Sequence, residues 1–128
     1  MKTTVSFLLA GMVIFSGTGC SGQAPTPASQ VSVDELQQRA LSGDPVAAAA
    51  MQLQFAKQDS DQELFWTRIA AENGHAVSQY NLAYEYWANG AGSEQDKIRA
   101  KFWLRRSAEG GDQLAAATLQ KLDAGEAW

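Results

Sequence analysis

Two stretches of this chain are near-copies of one another. Phe65-Trp66-Thr67-Arg68-Ile69-Ala70-Ala71-Glu72-Asn73-Gly74 recurs 37 residues further on as Phe102-Trp103-Leu104-Arg105-Arg106-Ser107-Ala108-Glu109-Gly110-Gly111, with Phe, Trp, Arg, Ala, Glu and Gly coinciding in order. A fainter copy sets Ala40, Gly43, Val46 and Met51 opposite Ala71, Gly74, Val77 and Leu82 at an offset of 31, which implies a shorter loop in the first unit. Self-similarity at such a period is the mark of architectures in which a unit cannot bury its apolar face alone and folds by stacking on its neighbour.

Helix punctuation follows the same phasing. Ser32 with Glu35 forms a capping box, Asp44 with Pro45 is an N-cap followed by proline in the first turn, Ser60 or Asp61 can cap a third helix and Asp112 a last one. Glycines at 43, 74, 90, 111 and 125 stand where helices should stop. The pattern predicts helices near 33–42, 45–57, 61–73, 76–89, 95–109 and 113–124. Such short connections force consecutive helices into antiparallel hairpins.

Ala76-Val77-Ser78-Gln79-Tyr80-Asn81-Leu82-Ala83-Tyr84-Glu85-Tyr86, then Gly90-Ala91-Gly92, Asp96, Ala100, Trp103 and Ala108-Glu109-Gly110-Gly111, resemble the Sel-one-like repeat, a relative of the tetratricopeptide repeat. Ser93 stands where the family prefers Val, Glu63 where the preceding unit should carry Ala, and the first unit lacks the Gly-x-Gly loop. The resemblance implies an all-α fold, a short right-handed solenoid of about six helices paired as antiparallel hairpins, over residues 32–128. Its structural positions here are Trp66, Ala71, Gly74, Leu82, Ala83, Tyr86, Gly90, Gly92, Ala100, Trp103, Ala108 and Gly111. Physically, small residues such as Ala100 and Ala108 let helices approach, while Trp66 and Trp103 fill the gaps between units.

The opening residues read as an address. Lys2 precedes an apolar run from Val5 to Phe15, too short to span a bilayer and followed by Ser16-Gly17-Thr18-Gly19-Cys20. An ordinary secretory signal with an incidental cysteine would look similar. The lone Cys20 after small residues resembles the bacterial lipobox, although Gly17 stands where that pattern carries an aliphatic residue. The resemblance implies a lipoprotein signal peptide over 1–19, a covalent lipid on Cys20, and a polar, proline-containing tether over 20–31. Ser21 after the cysteine implies the outer membrane, with the folded part facing the periplasm.

Function classes narrow next. A net charge of −4 lacks the basic footprint that nucleic acid demands, and Cys20, as the only cysteine, leaves no disulfide within the chain. His75 is the only histidine, follows a helix-ending glycine and has no nucleophile at recognisable spacing. Asp59, Asp61 and Glu63 gather at a helix start, where carboxylates complement the helix dipole. No metal-ligand spacing and no phosphate-binding glycine loop is present, so we expect no enzyme and no cofactor beyond the lipid. Lys97, Arg99, Lys101, Arg105 and Arg106 split over separate stripes and read as a solvated face around Trp103.

The aromatic stripe remains. At about 100° per residue, Tyr80, Ala83 and Trp87 fall within about 40° of Ala76 and Tyr84 at about 80°, with Leu82 and Tyr86 on another side. One reading is that these aromatics complete the core of a small domain. The other, which follows the repeat resemblance, makes Val77, Tyr80, Tyr84 and Trp87 a concave binding surface flanked by Leu53 and Lys121, on which a protein partner of the cell envelope docks. A cell-wall glycan binder, with Tyr84 and Trp87 stacking on sugar rings and contacting peptidoglycan, is the alternative from another class.

Overall fold

The structure, a computed structural model, describes residues 31–89 and 93–128. The expected signal peptide over 1–19, Cys20, all but Val31 of the expected tether, and Gly90 and Gly92 lie outside the described residues. Within them the chain is all-helical, with α1 (Val33–Leu41), α2 (Pro45–Phe55), α3 (Ser60–Glu72), α4 (Ala76–Asn89), α5 (Glu94–Glu109) and α6 (Gln113–Asp123). No strand occurs among the described residues. None of these helices is long and apolar enough to cross a membrane.

The ends of α1, α3, α5 and α6 are set by one arrangement used four times. Gly43, Gly74, Gly111 and Gly125 adopt φ of 96°, 98°, 95° and 82°, and each donates its N–H to the carbonyl three residues back, at Ala40, Ala71, Ala108 and Leu122. The next residue donates five residues back, Asp44 to Arg39, His75 to Ala70, Asp112 to Ser107 and Glu126 to Lys121, which completes a Schellman motif. At the first three of these turns that same residue then opens the following helix. The Oδ1 of Asp44 accepts from the amides of Val46 and Ala47, and that of Asp112 from Leu114 and Ala115. The capping hydrogen bonds of Asp44, led by the one from Ala47, together with the Arg39 guanidinium hold its carboxyl below the ordinary aspartate range.

Most bounds agree with the sequence expectation to within one residue, and the larger differences lie between α2 and α3. The helix α2 stops at Phe55, earlier than 57, because Ala56 turns to ψ 125° and Lys57 takes a left-handed φ of 65°. Asp59, rather than Ser60 or Asp61, caps α3, since its Oδ1 accepts from both Asp61 and Gln62 amides while Ser60 is already helical. Ser93 caps α5 through a 3.4 Å bond from the Asp96 amide. At α1, Ser32 accepts from the Glu35 amide, so the amide half of the capping box is formed.

Packing runs chiefly between helices adjacent in sequence. Two apolar clusters result. Ala40, Ala47, Ala48, Met51, Trp66 and Ala70 bring α1, α2 and α3 together, and Ala83, Leu104, Ala115 and Leu122 do so for α4, α5 and α6. Alanine dominates both, so backbones approach closely and the tryptophans supply the volume: Trp66 is buried in the first cluster, and Trp103, half-buried, packs on the second. Each tryptophan meets the preceding phenylalanine edge to face, Phe65 to Trp66 at 5.0 Å and Phe102 to Trp103 at 5.1 Å. Ala71 and Ala100 are fully enclosed and Ala108 is partly so.

A distinct seam separates the clusters. Gln52 on α2, Thr67 on α3 and Ser78 and Gln79 on α4 are buried polar side chains. The Nε2 of Gln79 donates to Ala71 O at 3.0 Å, tying α4 to the end of α3. On the other side of α4, Ser107 Oγ donates to Ala76 O at 2.7 Å, and the helix ends approach so closely that a Cβ on Gly110 would stand 3.0 Å from Ala76 Cβ.

A backbone argument isolates the role of the glycine turns, because nothing lies within 4 Å of a Cβ built on Gly74 or Gly111. Gly74→Ala and Gly111→Ala should each cost about 1–2 kcal/mol from the left-handed conformation alone. Urea denaturation measures this, and unchanged midpoints would show that the turns do not depend on positive φ.

Candidate docking cleft

A hollow opens over the polar seam, with Gln52 and Thr67 of the seam in its lining. It is a cleft of about 670 Å³ bounded by α2, α3 and α4. Gln52 lines it from α2, Asp61, Glu63, Leu64 and Thr67 from α3, and Tyr80, Asn81, Tyr84 and Glu85 from α4. Its position follows from the seam. Where alanine gives way to glutamine, threonine and asparagine, the side chains satisfy polar groups instead of interdigitating, and the surface stays open above them.

A chain of hydrogen bonds orders the cleft floor. His75 Nδ1 accepts from the Ser78 amide at 3.2 Å, which puts histidine in the place that Asp44 and Asp112 fill in front of α2 and α6. Ser78 Oγ lies 2.9 Å from the same nitrogen and donates to Gln52 Oε1 at 3.1 Å. The single Nδ1 lone pair is occupied by the amide, so the hydroxyl hydrogen goes to Gln52. That fixes the Gln52 amide with its oxygen inward. The Ser78 and His75 pair has the spacing of a nucleophile and base, yet Ser78 has no exposed surface and cannot meet a substrate.

The structure divides the expected aromatic stripe. Trp128, beyond the end of α6, lies against three of its members, with ring centroids 5.7 Å from Tyr80, 5.9 Å from Tyr84 and 5.5 Å from Trp87. Its Nε1 donates to Tyr80 Oη at 3.3 Å. Tyr80 and Trp87 are consequently half-buried and join the second apolar cluster, whereas Tyr84 remains 51% exposed. Tyr80 and Tyr84 belong to both settings, facing Trp128 and lining the cleft.

The other expected binding residues stand apart from the cleft. Leu53, Val77 and Lys121 are exposed, and none of them lines it. Val77 belongs instead to a row of equivalent exposed apolar positions, Val46, Val77 and Leu114, in the first turns of α2, α4 and α6. Of the expected repeat positions on α4, Leu82 and Ala83 are enclosed, while Tyr86 is half-buried with Arg99 over its ring at 5.7 Å. The basic residues of α5 are largely engaged locally: Lys97 with Glu94, Arg99 with Asp96, Lys101 with Asp123, and Arg106 over the Phe102 ring.

Sequence reasoning missed Gln52, Asn81 and Glu85 as parts of a site and took Asp61 and Glu63 for capping groups. A signal existed for one side of the cleft. Asn81, Glu85 and Asn89 recur every four residues and so share a face of α4 beside Tyr84. Nothing in the sequence places that face opposite Asp61 and Glu63.

No family model matches the chain, and no solved structure matches it. Over 64 residues, 49% of its length, the chain is 39% identical to a chitin synthase regulator, SKT5, of Malassezia restricta. It spans only 4% of that relative.

The Trp128 contact is testable by itself. Trp128→Ala should lower stability by about 1–3 kcal/mol, for a half-buried aromatic, and diminish the near-ultraviolet circular dichroism of the tyrosine and tryptophan cluster. An unchanged spectrum and denaturation midpoint would show that the ring does not rest on α4.

Proposed function

We propose that this chain is a non-enzymatic docking module of the bacterial cell envelope, held to the periplasmic side of the outer membrane by a lipid on Cys20, and that a protein partner engages the cleft between α2, α3 and α4. The carrying observation is the cleft itself, an open hollow with an ordered polar floor and the exposed ring of Tyr84 on its wall. Its volume lies within the about 300–1,000 Å³ typical of ligand sites, and tyrosine is among the residues that most often anchor interfaces.

The architecture behind this reading is a short solenoid of antiparallel hairpins of the Sel-one-like kind. Four equivalent glycine turns, three equivalent helix starts and two matching Phe–Trp pairs support it. The likeness to a protein named as a regulator of an enzyme suits a chain that acts through another protein. Docking of protein is favoured over glycan stacking because Trp128 rests on Trp87, which leaves Tyr84 without the second open ring that sugar stacking would use.

Replacing Tyr84 with a photo-crosslinking phenylalanine analogue in cells should give discrete adducts, and the same analogue at exposed Glu109 on α5 should not. Equal adduct patterns from both positions, or none from Tyr84, would contradict docking at the cleft. Sedimentation with purified peptidoglycan separates the glycan reading, since a protein-docking module should stay in the supernatant.

A further inference from the structure

We propose that Trp128 is the chain's own occupant of an aromatic cradle on α4, and that the docking partner engages by putting a tryptophan of its own in that place. The inference rests on the docking reading above and names the side chain that α4 accepts. Tyr80, Tyr84 and Trp87 meet the Trp128 ring at centroid distances of 5.7, 5.9 and 5.5 Å and at interplanar angles of 54°, 70° and 45°. None of the three lies parallel to the indole, so the cradle takes a ring by tilted and edge contacts, which aromatic pairs favour over a face-to-face sandwich. The Tyr80 hydroxyl accepts the indole N–H at 3.3 Å, a contact that a phenylalanine has no donor to make. Three rings and one acceptor therefore suit an indole, and an indole is seated among them.

Little besides the ring holds this segment in place. Beyond α6, Ala124, Gly125 and Glu126 donate backbone hydrogen bonds back to the helix, whereas Ala127 and Trp128 make none among the described residues. Residues 124–127 are all exposed, and Trp128 alone is half-buried. Lifting the ring away thus breaks three aromatic contacts and one hydrogen bond, and an incoming tryptophan restores all four. The exchange also reaches the docking cleft, because Tyr80 and Tyr84 line it as well as facing Trp128. An occupant tethered by a short segment competes at an effective concentration of about millimolar, so it lowers the partner's apparent affinity without abolishing binding.

The test titrates the ¹⁵N-labelled full chain, unaltered and as Trp128→Ala and Trp128→Phe, with two blocked peptides, acetyl-Gly-Trp-Gly-amide and acetyl-Gly-Phe-Gly-amide. The tryptophan peptide should shift the Trp87 indole signal and the amides around Tyr80 and Tyr84. It should bind Trp128→Ala about fivefold or more tightly than the unaltered chain, because the competing ring is gone, with Trp128→Phe in between. In the unaltered chain the same peptide should move the Trp128 indole N–H signal to its exposed position. The phenylalanine peptide should bind about threefold or more weakly, having no N–H for Tyr80. Should Trp128→Ala fail to fold, Trp128→Phe against the unaltered chain carries the same prediction. Equal affinity for all three forms would overturn the competition by Trp128, and shifts confined to Gln52 and Asn81 would then leave docking at the cleft intact. Binding to none of them would overturn the indole cradle, while crosslinking at Tyr84 decides docking separately. Equal shifts from N-acetylglucosamine, or a dimer of the unaltered chain that Trp128→Ala abolishes, would also overturn the proposal by assigning the cradle to a sugar or to Trp128 of a second copy.

Discussion

Ser78 joins the parts of this molecule that would otherwise be separate. Buried completely on α4, it takes the His75 nitrogen on its amide and gives its hydroxyl hydrogen to Gln52 of α2. Its backbone thereby receives the His75 cap that starts α4, while its side chain bridges two elements 26 residues apart and orients the amide on the cleft floor. At the equivalent places in α2 and α6 the chain carries Ala47 and Ala115, equally small and buried. The packing demand is the same in all three, namely that nothing larger fits, and only α4 adds a hydroxyl.

That single difference separates a junction closed by packing from one joined by directed hydrogen bonds. Around α1 and α2 the alanine contacts close the surface, and around α5 and α6 Leu104, Ala115 and Leu122 do the same. Between the two clusters, Gln52, Thr67, Ser78 and Gln79 hold the helices by directed bonds, which need geometry more than volume. A residual cost is visible there, since Gln79 Oε1 is buried without a partner. Trp128 closes the neighbouring stretch of α4 by resting on Tyr80, Tyr84 and Trp87, so the exposed part of the aromatic stripe on α4 contracts to Tyr84 beside the cleft.

The helices were legible because their ends are written in local chemistry. Asp44 before Pro45, Asp112, and the glycines at 43, 74 and 111 act within a turn of themselves, and a short window of sequence contains the whole cause. Where three acceptors stand in a row, as with Asp59, Ser60 and Asp61, the sequence reading offered Ser60 or Asp61, and the cap is Asp59, just after the chain leaves α2 through the left-handed Lys57. The site was less legible for a reason of range. Helical spacing shows that Tyr80 and Trp87 share a face, but only the return of the chain beyond α6 shows that Trp128 meets that face. Likewise Asp61 and Glu85 come to opposite sides of one hollow through the pairing of α3 with α4, which no local pattern encodes.

The account stands or falls on the polar bridge at Ser78. Ser78→Ala installs the side chain that α2 and α6 already tolerate at this place, so steric strain is absent and the hydrogen bond alone is removed. Guanidinium denaturation, read together with the Gln52 side-chain NH₂ signals by NMR, should show a loss of about 1–3 kcal/mol and a collapse of the two distinct amide resonances toward exposed values. A variant as stable as the parent, with those resonances unmoved, would mean that the seam is held by packing and that the cleft floor is not ordered as described.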